Sequence, residues 1–160
     1  MLARRNVLKC LTAIAVANLV KAKAEASTMS EDGLVTVASK YSVKETLDRL
    51  EADLRAKGIT VFARIDHAAG AASVAMALRP TELLIFGNPK AGTPLMQSNQ
   101  TIGIDLPLKV LVWQDAGGKV WLTYNDPDWL AQRHRLGPGT DASVTALASV
   151  LANLAKAAAG

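Results

Sequence analysis

Apolar positions recur along this chain with two periods, and the switches between them lay out its elements. Gly33-Leu34-Val35-Thr36-Val37-Ala38-Ser39 alternates and is β-branched, which predicts a strand. From Ser42 the spacing lengthens. Val43, Leu47, Leu50 and Leu54 fall on one helical face, and Ser42-Val43-Lys44-Glu45 is a capping box worth about 1 kcal/mol. Gly58 suits the left-handed residue that ends such a helix. Ile59 to Ile65 predicts a second strand. The Ala-rich segment His67 to Leu78 predicts a short helix, weakened by Gly70. Leu83-Leu84-Ile85-Phe86 is a continuous apolar run of strand length, expected to be buried on both faces.

Residues 88–106 are less regular, with a helical turn expected around Ala91–Gln97. Pro107 opens a strand over Leu108–Gln114. Asp115-Ala116-Gly117-Gly118-Lys119 reads as a hairpin loop, and Val120–Tyr124 as the returning strand. Asp126-Pro127 reads as an N-cap followed by proline at the first helical position, opening a helix to about Arg135. Gly137-Pro138-Gly139 stops it. Asp141 is expected to cap a last helix from Ala142 to about Ala158, with Val144, Leu147, Val150, Leu151 and Leu154 as its apolar stripe. The order is β-α-β-(α)-β-β-β-α. It predicts an α+β fold with a mostly antiparallel sheet and helices packed on one face, in one domain over residues 33–158.

Composition changes this picture chiefly at the N-terminus. Arg4, Arg5 and Lys9 precede an apolar stretch, Cys10 to Val20, of about eleven residues. That is the length of a signal-peptide core, and no apolar run in the chain reaches the ~18 residues of a membrane span. Ala22-Lys23-Ala24 and Ala24-Glu25-Ala26 offer two cleavage patterns. Arg4-Arg5-Asn6-Val7-Leu8-Lys9 resembles the twin-arginine export motif, with Ala3 and Val7 departing from its usual serine and phenylalanine. Residues 1–24 are therefore expected to be a removed signal peptide, residues 25–32 a flexible lead-in, and the mature protein periplasmic. Cys10, preceded by Lys9, is not a lipobox and leaves with the signal, which excludes thiol chemistry in the remainder. The formal charge of +4 is equally misleading. The five basic residues before position 25 leave thirteen against fourteen acidic ones, which argues against nucleic acid as a partner.

Three further motifs carry a family resemblance: Leu83 to Thr93 (LLIFGNPKAGT), Ile104 to Lys109 (IDLPLK), and Gly118 to Pro127 (GKVWLTYNDP). Together they resemble the family known as domain of unknown function 302 over roughly residues 33–136. The resemblance implies an α+β fold similar to that of the TATA-binding protein, and a homodimer. No catalytic residue can be carried over from the family, the cofactor stays unknown, and fold alone does not imply DNA binding.

Candidate chemistry is sparse. Asn88, Lys90 and Gly92 of the GNPKAGT turn form the best ligand-binding candidate: free N–H groups and a lysine could meet an anion where a helical turn begins, and Gly92 would let a ligand approach. The competing reading is a tight turn. Asp66 and His67 could act as an oriented general base or ligate a metal or haem, yet two histidines without cysteine, His67 and His134, make no metal signature. His134 within Arg133-His134-Arg135 reads as solvated. Asp105 and Asp126 are a conceivable carboxylate pair, although Asp126 is better explained as an N-cap. Trp113 and Trp121 are expected to pair across the hairpin, and with Tyr124 they could line a ligand pocket or a dimer face. Met76 and Met96 read as core filler. The expectation is a dimeric, non-catalytic binding module for a small molecule or partner protein. The alternative is a small enzyme or haem/metal protein built on His67 and the Asn88-Pro89-Lys90 turn.

Overall fold

A computed structural model describes residues 28–160; the expected signal peptide and Cys10 lie outside the described residues. The elements are β1 (Thr28–Met29), β2 (Leu34–Ser39), α1 (Val43–Ala56), β3 (Thr60–Asp66), α2 (His67–Ser73), β4 (Thr81–Gly87), α3 (Pro89–Ser98), β5 (Leu108–Gln114), β6 (Val120–Asn125), α4 (Pro127–Arg133) and α5 (Asp141–Ala159). Two 3₁₀ turns, Gln100–Ile104 and Pro138–Thr140, join them. The sheet runs β1-β2-β6-β5-β4-β3, and every neighbouring pair is antiparallel. Thr28–Met29, within the expected flexible lead-in, adds a short edge strand to β2.

The core follows from strand alternation. Val35, Leu84, Val110 and Tyr124 share one row of the sheet, and Val112 and Leu122 the next, all facing the same way. Val43, Leu47, Leu50 and Leu54 of α1 close over them, joined by Leu151, Leu154, Ala155 and Ala158 of α5. The run Leu83–Phe86 is not buried on both sides. Only Leu84 and Phe86 are, because among the described residues no second helix layer covers the sheet; Leu83 and Ile85 on the opposite face stay partly accessible. Val150 likewise leaves the expected stripe of α5 and is exposed. Ser42 caps α1 through Glu45 N, as its sequence predicts.

Polar contacts lock the helices to each other and to the strands. Arg49 of α1 donates to the carbonyls of Ala157 and Ala158, supplying both a cation and donors to the C-terminal end of α5. Arg64 of β3 donates to Asp48 on α1 and Glu82 on β4 at 2.6 and 2.7 Å. Burial opposes its charge, but these two carboxylates outweigh that and hold the guanidinium more firmly protonated than usual. In the hairpin, Asp115 accepts from the amides of Gly117 and Lys119 and from the Trp121 indole. Trp113 and Trp121 pair across the strands with ring centroids 6.4 Å apart.

Candidate functional site

The chain departs from regular strand pairing between β4 and β5, and there a cleft opens. Asn88 ends β4 and caps α3: its side-chain oxygen accepts from Lys90 N at 2.9 Å, and its carbonyl accepts from Ala91 N and Gly92 N. Pro89 stands at the first helical position, where a missing N–H costs nothing. The N–H groups expected to be free for an anion are thus engaged by Asn88. α3 then runs over the end of the sheet opposite Leu106-Pro107. Between them lies a half-open cleft of about 240 Å³. Gly87, Asn88, Pro89, Ala91, Gly92, Thr93 and Met96 form one side of it, and Phe62, Leu106, Pro107, Leu108 and Leu147 the rest. No charged residue lines it, and its surface is almost wholly apolar. Neither glycine of this lining is required for want of space. A Cβ on Gly87 would stand 3.4 Å from Pro107, and one on Gly92 would stand 3.6 Å from Leu106.

The wall opposite α3 is irregular chain fastened by side chains. His134, 7% exposed, bridges two segments: its Nε2 lies 2.6 Å from Asp105 Oδ2 and its Nδ1 2.9 Å from Thr101 Oγ1. Asn99 Oδ1 accepts from the amide and hydroxyl of Thr101, while Asn99 Nδ2 donates to the His134 carbonyl. Lys109 Nζ donates to the carbonyls of Asp105 and Pro107. A hydroxyl, an imidazole and a carboxylate in this order can relay a proton. None of the three lines the cleft, however, and each is already spent in holding the wall.

The sequence candidates are therefore dispersed. Asn88 and Gly92 line the cleft; Lys90 is exposed and does not. Asp66 caps α2 by accepting from Ala69 N, so it does not orient His67, which is exposed at the start of that helix. Asp105 is the partner of His134. That histidine is not solvated as its basic neighbours suggested, because α4 turns it inward. Trp121 and Tyr124, three residues apart on one strand, face opposite sides of the sheet and cannot line one pocket. Burial, and then the neighbouring Asp126, raise the Tyr124 phenol above its ordinary range. Asp126 caps α4 through Asp128 N and Trp129 N. Met96 packs against the buried cluster of Leu95, Ile102 and Val144, as core filler would, and also lines the cleft, whereas Met76 is exposed and fills no core. Among the described residues no group of three or more His, Cys, Asp and Glu side chains is placed to hold a metal. The sequence reading missed Phe62, Leu147 and the Leu106–Leu108 wall; apolar residues from separate elements carry no local signature.

The family model of "Domain of unknown function DUF302" matches residues 35–154. The chain belongs to this family. A crystal structure of an uncharacterized conserved DUF302 protein from Bacillus stearothermophilus has the same fold, with a TM-score of 0.70 at 21% identity over 79% of this chain and 98% of that one. Among curated relatives, the "Fluoride-specific ion channel FluC 1" of Brucella suis biovar 1 is 52% identical over 130 residues. That match covers 81% of this chain and 51% of the relative. The protein of the same name from Brucella abortus biovar 1 is also 52% identical, with 48% of its length matched. The DUF302 chain thus spans about half the length of the curated relatives it matches. Among its described helices, one segment, Pro138–Ala159, is long and apolar enough to cross a membrane. Here it is a packed helix: Val144, Leu151, Leu154, Ala155 and Ala158 of α5 are buried in the domain.

Proposed function

We propose that this chain is a non-catalytic binding module that takes a small apolar molecule, or one apolar side chain of a partner protein, in the cleft between α3 and Leu106-Pro107. The observation that carries this reading is the lining itself. A concave, half-open space bounded by Phe62, Pro89, Met96, Leu106, Pro107 and Leu147 gains by exchanging water for an apolar guest. Asn88 and Thr93 are the polar side chains of its lining and can orient that guest. Fluoride, for which the Brucella relatives are named, does not suit the cleft. A small, strongly hydrated anion would lose its water against walls without a charge. The reading instead treats the shared half of those relatives as an accessory domain beside a channel. The twin-arginine-like leader supports work in the periplasm, and recovery of the chain from its host with an amino end near residue 25 would establish that location.

The test of the cleft uses 1-octanol as a neutral probe, followed by amide chemical shifts. Titration is expected to move Gly87, Ala91 and Gly92 together and saturably. Gly92→Leu, which fills the cleft from a helical position that tolerates a side chain, weakens that binding at least tenfold without lowering the melting temperature. Shifts scattered over the surface, or equal binding by the Gly92→Leu chain, would refute the cleft as the site.

A further inference from the structure

A second cleft opens where α4 and α5 meet, and it shares no lining residue with the cleft beside α3. Its volume is about 340 Å³, inside the ~300–1,000 Å³ range of small-molecule sites. Helical spacing builds it. Asp128 and Ala131 stand three apart on α4, and Asp141 and Val144 three apart on α5, so each pair shares one helix face. Arg135 and Leu136 come from the chain between the helices. Ala131, Leu136 and Val144 make a floor that is half-buried to buried, and Asp128, Arg135 and Asp141 stand exposed around it. The basic run Arg133-His134-Arg135 is thus split three ways. His134 turns inward, Arg133 lies over the Trp129 ring at 5.4 Å, and Arg135, with a φ of 50°, lines this cleft.

The charged side chains of this cleft are unspent. Elsewhere Asp48 and Glu82 are held by Arg64, Asp105 by His134, and Asp115 by the Trp121 indole. Among the described residues, the side chains of Asp128, Arg135 and Asp141 make no hydrogen bond and no ion pair. They present two carboxylates and one guanidinium to whatever enters. A simple anion would meet Arg135 but face two aspartates, and a simple cation would leave Arg135 unanswered. A molecule with one carboxylate and two ammonium groups gives each of the three a partner and brings the local charge to zero. The apolar floor asks for methylenes between those head groups, which can lie along it while the charges stay in water. We infer that this cleft binds a free dibasic amino acid of the lysine and ornithine class. Its carboxylate meets Arg135, its two ammonium groups meet Asp128 and Asp141, and its methylenes cover Ala131, Leu136 and Val144. Because the charged rim is exposed, the binding weakens as salt rises.

The experiment titrates the full chain with L-lysine at low salt and follows amide chemical shifts. Lysine is expected to move Ala131, Leu136 and Val144 together and saturably, leaving Gly87 and Gly92 of the other cleft in place. Three probes each lack one head group: L-leucine the second ammonium, 6-aminohexanoate the α-ammonium, and cadaverine the carboxylate. Each is expected to bind at least tenfold more weakly than lysine. Arg135→Gly removes the guanidinium at a positive φ that glycine adopts freely, so lysine binding falls at least tenfold while the melting temperature holds or rises. Asp128→Asn keeps the shape of its side chain and is expected to weaken lysine at least fivefold. The inference is overturned if 10 mM lysine gives no saturable shift, or if the shifts centre on Gly87 and Gly92. Leucine or cadaverine binding as tightly as lysine overturns it too, as does an Arg135→Gly chain that binds lysine like the parent.

Discussion

Removing the Asp105 carboxylate tests whether the irregular cleft wall is held by its polar bonds. In Asp105→Ala the His134 Nε2, now 2.6 Å from a carboxylate oxygen, loses its partner inside a side chain that is almost wholly buried. A buried donor left unsatisfied costs about 1–3 kcal/mol. The Arg133 Nε contact to the same carboxylate is 3.9 Å long and half exposed, so it adds a few tenths at most. The expected loss is about 2 kcal/mol, or a fall of roughly 8 °C in melting temperature for a domain of this size. His134→Ala removes the ring and both of its bonds, leaves a cavity, and costs about 3 kcal/mol.

Either loss, measured singly, could as well come from altered packing, so the assay is a double-mutant cycle in thermal and urea unfolding. Since each single change orphans the other group, the double variant should lose less than the sum by about 1.5 kcal/mol. Additive losses, or an Asp105→Ala penalty under about 0.5 kcal/mol, would mean that the wall is held by packing alone. The same variants offer a second readout. If the network positions Leu106-Pro107, Asp105→Ala weakens octanol binding while amide shifts in β2 and β6 stay in place.

Three other perturbations separate the forces acting elsewhere. Gly33 and Gly58 both have positive φ, but a Cβ on Gly33 would lie 2.2 Å from the Trp129 ring while Gly58 has open space. Alanine is expected to cost about 1 kcal/mol at Gly58 and about 3 kcal/mol at Gly33, and equal losses in urea unfolding would remove the steric account. Arg64→Met leaves Asp48, Glu51 and Glu82 together without their cation, an expected loss of about 2 kcal/mol after allowance for partial exposure, partly restored by adding Glu82→Gln. The Trp121 indole first, and then the Lys119 amide, hold the Asp115 carboxyl below its ordinary 3.8. Stability from this group is therefore present above that value and lost as pH falls through the lower folded value. Trp121→Phe should move the Asp115 midpoint upward in a carboxyl ¹³C titration, and an unmoved midpoint would exclude the indole as the cause.

The sheet was legible because alternation is a local property. Leu34–Ser39, Leu108–Gln114 and Val120–Tyr124 each state their inward face within a few residues, and Asp115 to Lys119 states the hairpin that joins two of them. Two caps were legible for the same reason, with Ser42 and Asp126 bonding the amides their position predicts, whereas Asp141, expected to cap α5, is its first residue, and Thr140 before it makes no side-chain cap bond. Burial on a second face was not. Leu83–Phe86 is equally apolar at all four positions, and only the packing of α1 and α5 on one face decides which of them meet the core. His134 is the sharpest miss. Two arginines beside it advertise solvent, while its partners Thr101 and Asp105 lie 33 and 29 residues away, where no periodicity connects them.

That contrast explains why the candidate site resisted reading. Its floor belongs to the sheet, whose form is dictated by many small apolar contacts and regular backbone bonds. Residues 99–107, which form the wall, have no strand partner, so side chains take the place of a ladder. Asn99 and Thr101 tie the start of the segment to His134, Asp105 ties its middle to the same ring, and Lys109 gathers the carbonyls of Asp105 and Pro107. These bonds act beside apolar packing, since Ile102 is buried with Leu95 and Val144 and Leu106 rests on that cluster. A wall with so many side-chain bonds is expected to shift when one polar residue changes while the sheet stays in place, and the proposed cleft is the part of this domain where such a change would be felt.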